Sequence, residues 1–183
     1  MTYSLNWLQE QLNQDKQLEY LFFWGHTPPK DGSTDKSCFS QWFPAPFTVN
    51  GIEYLTAEHW MMWKKAILFG DKETAGEIVK TEKPAIAKEL GRKVRNFDPA
   101  VWSAACFDIV VEGNKHKFEQ HENMKNVLLY TGNKILVEAS PVDTIWGIGL
   151  AKDHPDAANP FNWKGTNLLG FALMEVREWL RGL

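Results

Sequence analysis

The sequence predicts an α+β fold, helix-rich, with a few short and mainly antiparallel strands. Three observations lead there. Six or so segments carry apolar residues at helical spacing. Asn50-Gly51 sits between alternating residues in "PFTVNGIEY" and reads as a two-residue hairpin turn, because both positions favour a positive φ. The strand-like runs do not alternate regularly with helices, so a doubly wound parallel sheet is not expected.

The elements follow in order. Ser4 to Gln14 forms a first helix with Leu5, Leu8 and Leu12 on one face. "LEYLFFWG" is a buried strand ending at Gly25. After the hairpin, Thr56 caps a helix in "TAEHWMMWKKAILF", with Glu58 in its favourable first turn. Helices follow around Lys72–Thr81 and Pro84–Leu90, the second closed by Gly91. Asp98 and Pro99 open a long helix as cap and first residue. "MKNVLLYTGN" is a helix stopped near Gly132, and "KILVEAS" is a strand running to Pro141. Thr166 is expected to cap a last helix in "TNLLGFALMEVREWL". The Pro/Gly/Asp-rich stretch Thr27–Lys36 and the stretch Lys152–Lys164 read as loops. Neither separates domains, so one domain over residues 1–183 is expected, with 1–19 as an N-terminal helical extension.

Composition excludes several classes. The net charge of −3 provides no long-range pull toward nucleic acid or anionic membrane. Cys38 and Cys106 lie far apart, without metal-ligand spacing, so neither a disulfide framework nor a zinc site is expected and a reducing cytoplasm fits best. The N-terminus lacks a basic region followed by an apolar run and is not expected to be a signal peptide. No stretch approaches the ~18 apolar residues of a membrane span. A phosphate loop, a serine nucleophile elbow and HExxH are absent, and Glu58-His59 lacks a second His four residues on. No metal and no cofactor are expected. His116 and His121 lie in a charged region expected to be exposed.

The nine tryptophans stand out, several beside Gly or polar residues: Trp24-Gly25, Gln41-Trp42, Trp146-Gly147 and Trp163-Lys164-Gly165. Such rings either line a pocket or cover turns at the edge of the core. Three segments have the texture of a site. Glu58 and Lys65 are seven residues apart and share one stripe of a greasy helix, which fits a solvated edge as well as an active site. In "EASPVDTIWGIGL" acids close a strand beside glycines that let backbone approach a ligand, although Asp143 also fits a cap. In "NWKGTNLLG" Lys164, Gly165 and Asn167 stand at a helix entry, where N–H groups can hold a phosphate.

Taken in order, the motifs "FWGH", "FSQWFPAPFTVNGIEYLTAEHWMMWKKAILFGD", "LGRKVRNFDPAVW", "KFEQ", "LLYTGNKILVEASPVDTIWGIG" and "WKGTNLLGFALMEVR" resemble the NADAR family, in particular its YbiA-like members, over about Phe22–Arg177. The resemblance implies that fold and an N-glycosidase cleaving ribose from an amine nitrogen. The implied substrates are phosphoribosylamino-pyrimidine intermediates of riboflavin synthesis, in metabolite repair. The runner-up is ADP-ribose attached to guanine in nucleic acid, and a third reading is a non-catalytic ADP-ribose-binding module. The partner is thus a small phosphoribosylamine or ADP-ribose-type substrate, with nucleic acid only under the runner-up and no membrane.

The family's functional residues fall on Glu58, Trp102 and Asp143. Its sugar-bonding lysine falls on Lys64 or Lys65. Register with Ala66 and the stripe shared with Glu58 favour Lys65. The resemblance implies Lys65 as nucleophile, Glu58 and Asp143 as acid and base, and Trp102 and Trp146 as rings against the substrate. It leaves Trp102 open as a core residue. Gly147 belongs to the same wall, and Asn167, Gly165 and Arg92 are candidates for phosphate or ribose hydroxyls. Arg92 equally suits neutralising a helix C-terminus, and Met61 and Met62 suit core packing.

Overall fold

The computed structural model describes residues 2–183; Met1, the first residue of the expected domain, lies outside the described residues. Seven helices and four short strands are described: α1 (Leu5–Asn13), β1 (Tyr20–Phe23), β2 (Phe47–Val49), β3 (Ile52–Tyr54), α2 (Ala57–Leu68), α3 (Lys72–Ile78), α4 (Pro84–Arg92), α5 (Pro99–Gln120), α6 (Glu122–Leu129), β4 (Ile135–Glu138) and α7 (Leu168–Arg181). A 3-10 turn spans Lys36–Phe39. The helix-rich α+β expectation holds.

Local chemistry explains most boundaries. Ser4 accepts from the Trp7 N–H and Thr56 from the His59 N–H, each satisfying an orphan donor of a first turn. Asp98 accepts from the Ala100 and Val101 N–H groups ahead of α5, with Pro99 at the first position. Asn50 and Gly51 adopt φ 50° and 78°, joining β2 and β3 by the expected tight turn.

Four expectations need correction. The strands are not mainly antiparallel. The hairpin is, but β1 pairs with β4 in parallel, Tyr20 opposite Ile135 through Phe23 opposite Glu138. Five helices and the hairpin lie between β1 and β4, so the returning chain enters both strands from the same end. β4 also stops at Glu138, short of Pro141. Gly91 does not close α4 but lies inside it, where a Cβ would collide with the Met62 side chain; its absence lets α4 approach α2. Thr166 does not cap α7. Asn167 holds that position, in the left-handed region at φ 54°, and the Thr166 hydroxyl donates instead to the Ile145 carbonyl.

The main core lies between α7, α5 and the β1–β4 pair. α7 buries Phe171, Leu173, Val176 and Leu180, and α1 adds Leu8. A smaller aromatic cluster of Phe47, Tyr54 and Trp60 seats the hairpin on α2. α2 is wedged between α3, α4 and α5, so its faces meet three surroundings. One holds the aromatic cluster, one the main core, and one a cavity. No described helix is long and apolar enough to cross a membrane.

Candidate active site

A cavity of about 660 Å³ opens where α2, α4, the N-terminal part of α5 and the segment after β4 meet. Glu58, Lys65, Trp102, Asp143, Trp146 and Arg92 all line it. Residues more than eighty positions apart thus converge on one space of ligand size.

Glu58 is only 2% exposed, and its Oε1 has no hydrogen-bond partner among the described residues. Its backbone N–H donates to the Gln41 carbonyl at 2.9 Å, which fixes the first turn of α2 against the Ser40–Trp42 segment. Burial pushes the carboxyl up to about 7. Lys88 and the Trp42 indole oppose that push, Asp143 adds to it, and Arg92 opposes it weakly.

Lys65 places its amine 4.1 Å from the Phe97 ring centroid and 5.5 Å from that of Trp102. Burial lowers its pKa, which increases the fraction present as free amine. Lys64 points elsewhere. It pairs with Glu112 at 2.8 Å and lies over Trp60, since one residue along a helix turns the side chain by about 100°. Between the two lysines of "WKKA", only Lys65 lines the cavity.

Asp143 lines the cavity, and no helix directly follows it, so its side chain closes a turn and does not cap a helix. Its Oδ1 accepts from the Ile145 and Trp146 N–H groups at 2.9 and 2.8 Å, and its own N–H donates to the Ser140 hydroxyl. This turn holds the carboxylate in place and presents the Trp146 ring beside it. Of the tryptophans next to Gly or polar residues, Trp24, Trp42 and Trp146 line the cavity. Trp163 instead covers a turn, its indole donating to the Ala157 carbonyl.

Asn167, Gly147 and Gly165 do not line the cavity. Asn167 is wholly buried; its Oδ1 accepts from the Glu138 N–H and its Nδ2 donates to the Leu136 carbonyl, both at 2.9 Å. It clips the end of β4. Gly147 and Gly165 are close-approach residues. A Cβ on Gly147 would lie 2.9 Å from the Glu138 carbonyl oxygen, and one on Gly165 would run into the Gly147 carbonyl. The expected phosphate cradle at this helix entry is also occupied: the Leu168 and Leu169 N–H groups donate to the carbonyls of Ile145 and Trp146.

Sequence reasoning assigned no role to Glu138 or Lys88, both of which line the cavity. Glu138 ends an otherwise apolar strand, and that placement was the available signal. Its Oε2 is buried without a partner among the described residues. Burial pushes its carboxyl up to about 8, Asp143 and Glu58 add to this, and Lys88 opposes it. Lys88 and Arg92, four residues apart on α4, share one face. The region around His116 is not simply exposed either. Lys117 is wholly buried and donates to the Cys38 and Ser40 carbonyls at 2.6 and 2.9 Å, while Asn114 and Gln41 pair through their amides. Together they pin the segment that carries Gln41 and Trp42. His59 turns away from the cavity, its ring between the Thr56 hydroxyl and Thr81.

Comparison with known proteins agrees with this geometry. Residues 22–181 match the NADAR domain family. N-glycosidase R617 of Acanthamoeba polyphaga mimivirus is 46% identical, covering 87% of this chain and 95% of that protein. N-glycosidase YbiA of Escherichia coli is 31% identical, covering 81% and 84%. Protein irg-1 of Caenorhabditis elegans is 35% identical, covering 78% and 76%. The NMR structure of E. coli YbiA superposes with a TM-score of 0.71 at 29% identity, over 91% of this chain and 87% of that one. A family match over nearly the whole length, joined to a cavity lined by carboxylates, a lysine and tryptophans, shows that the chain belongs to the NADAR family and is an enzyme of its N-glycosidase type.

Proposed function

We propose that this enzyme hydrolyses the ribose–amine bond of phosphoribosylamino-pyrimidines, intermediates of riboflavin biosynthesis, as metabolite repair in the cytoplasm. The observation that carries the reading is the Lys65 amine, its proton weakened by burial, facing the same cavity as the buried Glu58 carboxyl. A glycosylamine invites this chemistry. Protonation of the ring oxygen lets the C1–O bond break while the exocyclic nitrogen forms a C=N bond. The neutral Lys65 amine adds to C1, giving a carbon that bears two nitrogens. A carboxylate takes the proton from the lysine nitrogen and returns it to the substrate nitrogen, which leaves as the free amine. Water then adds to the lysine imine, and collapse releases the aldose and restores Lys65.

Glu58 and Asp143 move the protons and Trp102 and Trp146 cover the substrate rings. Arg92 and Lys88 face the phosphate. Asn167, Gly147 and Gly165 serve by holding the wall. The cytoplasmic reading is supported by two buried cysteines that remain free thiols.

The test is to incubate the protein separately with a phosphoribosylamino-pyrimidine and with ADP-ribosylated guanosine, following sugar release and trapping with borohydride. We expect release from the first, and a reduced sugar adduct that peptide mass mapping places on Lys65. Lys65→Ala should lose both, with turnover down about 10³-fold or more. Full cleavage by Lys65→Ala without any trapped adduct in wild type overturns the imine route. Release from ADP-ribosylated guanosine alone reassigns the substrate, and tight ADP-ribose binding without cleavage of either makes the domain a binding module.

A further inference from the structure

We infer that Glu138 is a further catalytic residue, the acid that protonates the ribose ring oxygen, and that it shares a single proton with Glu58 in a carboxyl pair across the cavity. The inference rests on the N-glycosidase reading above and adds a group to it. The two carboxyls come from different elements, the first turn of α2 and the last residue of β4. Both line the cavity, and each carries a buried oxygen with no partner among the described residues, Oε1 of Glu58 and Oε2 of Glu138.

An unpartnered ionised oxygen in the interior is costly, and two such charges near one another are costlier. One proton on the pair relieves both costs. Burial raises the affinity of both carboxyls for it, to about 7 for Glu58 and about 8 for Glu138, and Glu58 raises that of Glu138 further. With burial, Asp143 and Glu58 all favouring it, Glu138 carries the acidic proton. The other charged or titratable groups facing the space are Lys65 of α2, Lys88 and Arg92 of α4, Asp143 after β4, and His26 after β1. Of these, Lys88 opposes the proton on both glutamates, and Asp143 favours it on both.

The backbone around Glu138 is held as a catalytic group requires. Asn167 accepts from its N–H, and its carbonyl accepts from the Ile148 N–H at 2.9 Å. In the step, the Glu138 O–H bond breaks and a bond to the ring oxygen forms. The C1–O electron pair passes to that oxygen, and the nitrogen lone pair makes the C=N bond. The carboxylate left on Glu138, or that of Glu58, next accepts the proton displaced when Lys65 adds to C1. That proton goes on to the leaving nitrogen, and the proton released when water adds to the lysine imine and the adduct collapses to the aldose restores the one-proton state of the pair.

The test compares wild type, Glu138→Gln and Glu138→Asp on the phosphoribosylamino-pyrimidine across pH, with infrared spectra of the ligand-free proteins. Wild type should show the carbonyl band of a protonated carboxylic acid at neutral pH, and activity should fall as pH rises through about 8. Glu138→Gln should lower kcat by about 10²–10⁴-fold, with KM changed by less than about threefold, lose the alkaline limb, and keep only the part of the band that belongs to Glu58 and fades as pH rises through about 7. Glu138→Asp should keep a weaker activity and an alkaline limb. Wild-type turnover with Glu138→Gln within about threefold of it, alkaline limb intact, overturns the role of Glu138 alone. Absence of the infrared band from wild type overturns the shared proton. Wild type that releases no sugar overturns the functional reading instead, which separates that failure from this one.

Discussion

Glu58 and Asn167 are both polar and both almost wholly buried, yet for opposite ends. Asn167 spends its side chain on the protein, accepting from the Glu138 N–H and donating to the Leu136 carbonyl. Glu58 leaves Oε1 unpartnered among the described residues, at the edge of a cavity. The entry to α7 is a satisfied polar joint, and the α2 wall is an unsatisfied polar surface. A buried polar group without a partner is unstable by itself, so an enzyme keeps one where a substrate supplies the missing bond. In sequence the two segments look equally site-like. Satisfaction of hydrogen bonds, rather than polarity, separates them.

This contrast can be broken by substitution. The largest expected stability loss is at the joint. Asn167→Ala strands the Glu138 N–H and the Leu136 carbonyl and puts a non-glycine residue without a polar side chain at φ 54°. It should cost about 2–4 kcal/mol, read from the denaturant midpoint. A loss below about 0.5 kcal/mol would remove the distinction between joint and wall.

At the wall the sign reverses. The folded-state pKa of Glu58 lies above its ordinary value, so the stability its proton contributes is full below about 4.5 and is lost as pH rises through about 7. Glu58→Gln has no such loss. It should gain stability relative to wild type from pH 5 to pH 9, by on the order of 2 kcal/mol, while sugar release falls. Equal denaturant midpoints for the two proteins at pH 9 would show that the Glu58 carboxylate is not isolated. The smallest effect belongs to Lys64, whose pair with Glu112 is partly exposed. Lys64→Ala should change stability by less than about 1 kcal/mol and leave the borohydride adduct in place. Loss of the adduct would move the nucleophile to Lys64.

Much of the fold was legible because its signals are local. Asn50-Gly51 announces a turn that needs only its own backbone. Ser4, Thr56 and Asp98 reach N–H groups two or three residues on. Glu58, Lys65 and Asp143 were reachable through motif order, and all three line the one cavity. Parallel pairing of β1 and β4 was not legible, since "LEYLFF" carries no mark of a partner beyond five helices. Glu138 stayed hidden for a related reason. An acid at the end of an apolar strand becomes a cavity residue only once Glu58, Asp143 and Lys88 arrive from elsewhere. Lys117 was read as part of an exposed charged run, and only the Cys38 and Ser40 carbonyls explain its burial.

The sequence by itself determined where helices start, where the hairpin turns and which stripe of α2 carries both Glu58 and Lys65. These depend on contacts within a turn or two of chain, whose energetics are present in any short segment. Tertiary structure decided which polar groups are satisfied and which are held open. The partner of Asn167 is thirty-odd residues back along the chain, and the groups that tune Glu58 lie on α4, after β4 and in the Ser40–Trp42 segment. Desolvation and pairing are properties of an assembled interior. The same amide and carboxyl chemistry therefore became a structural clip at one place and an unsatisfied cavity wall at the other.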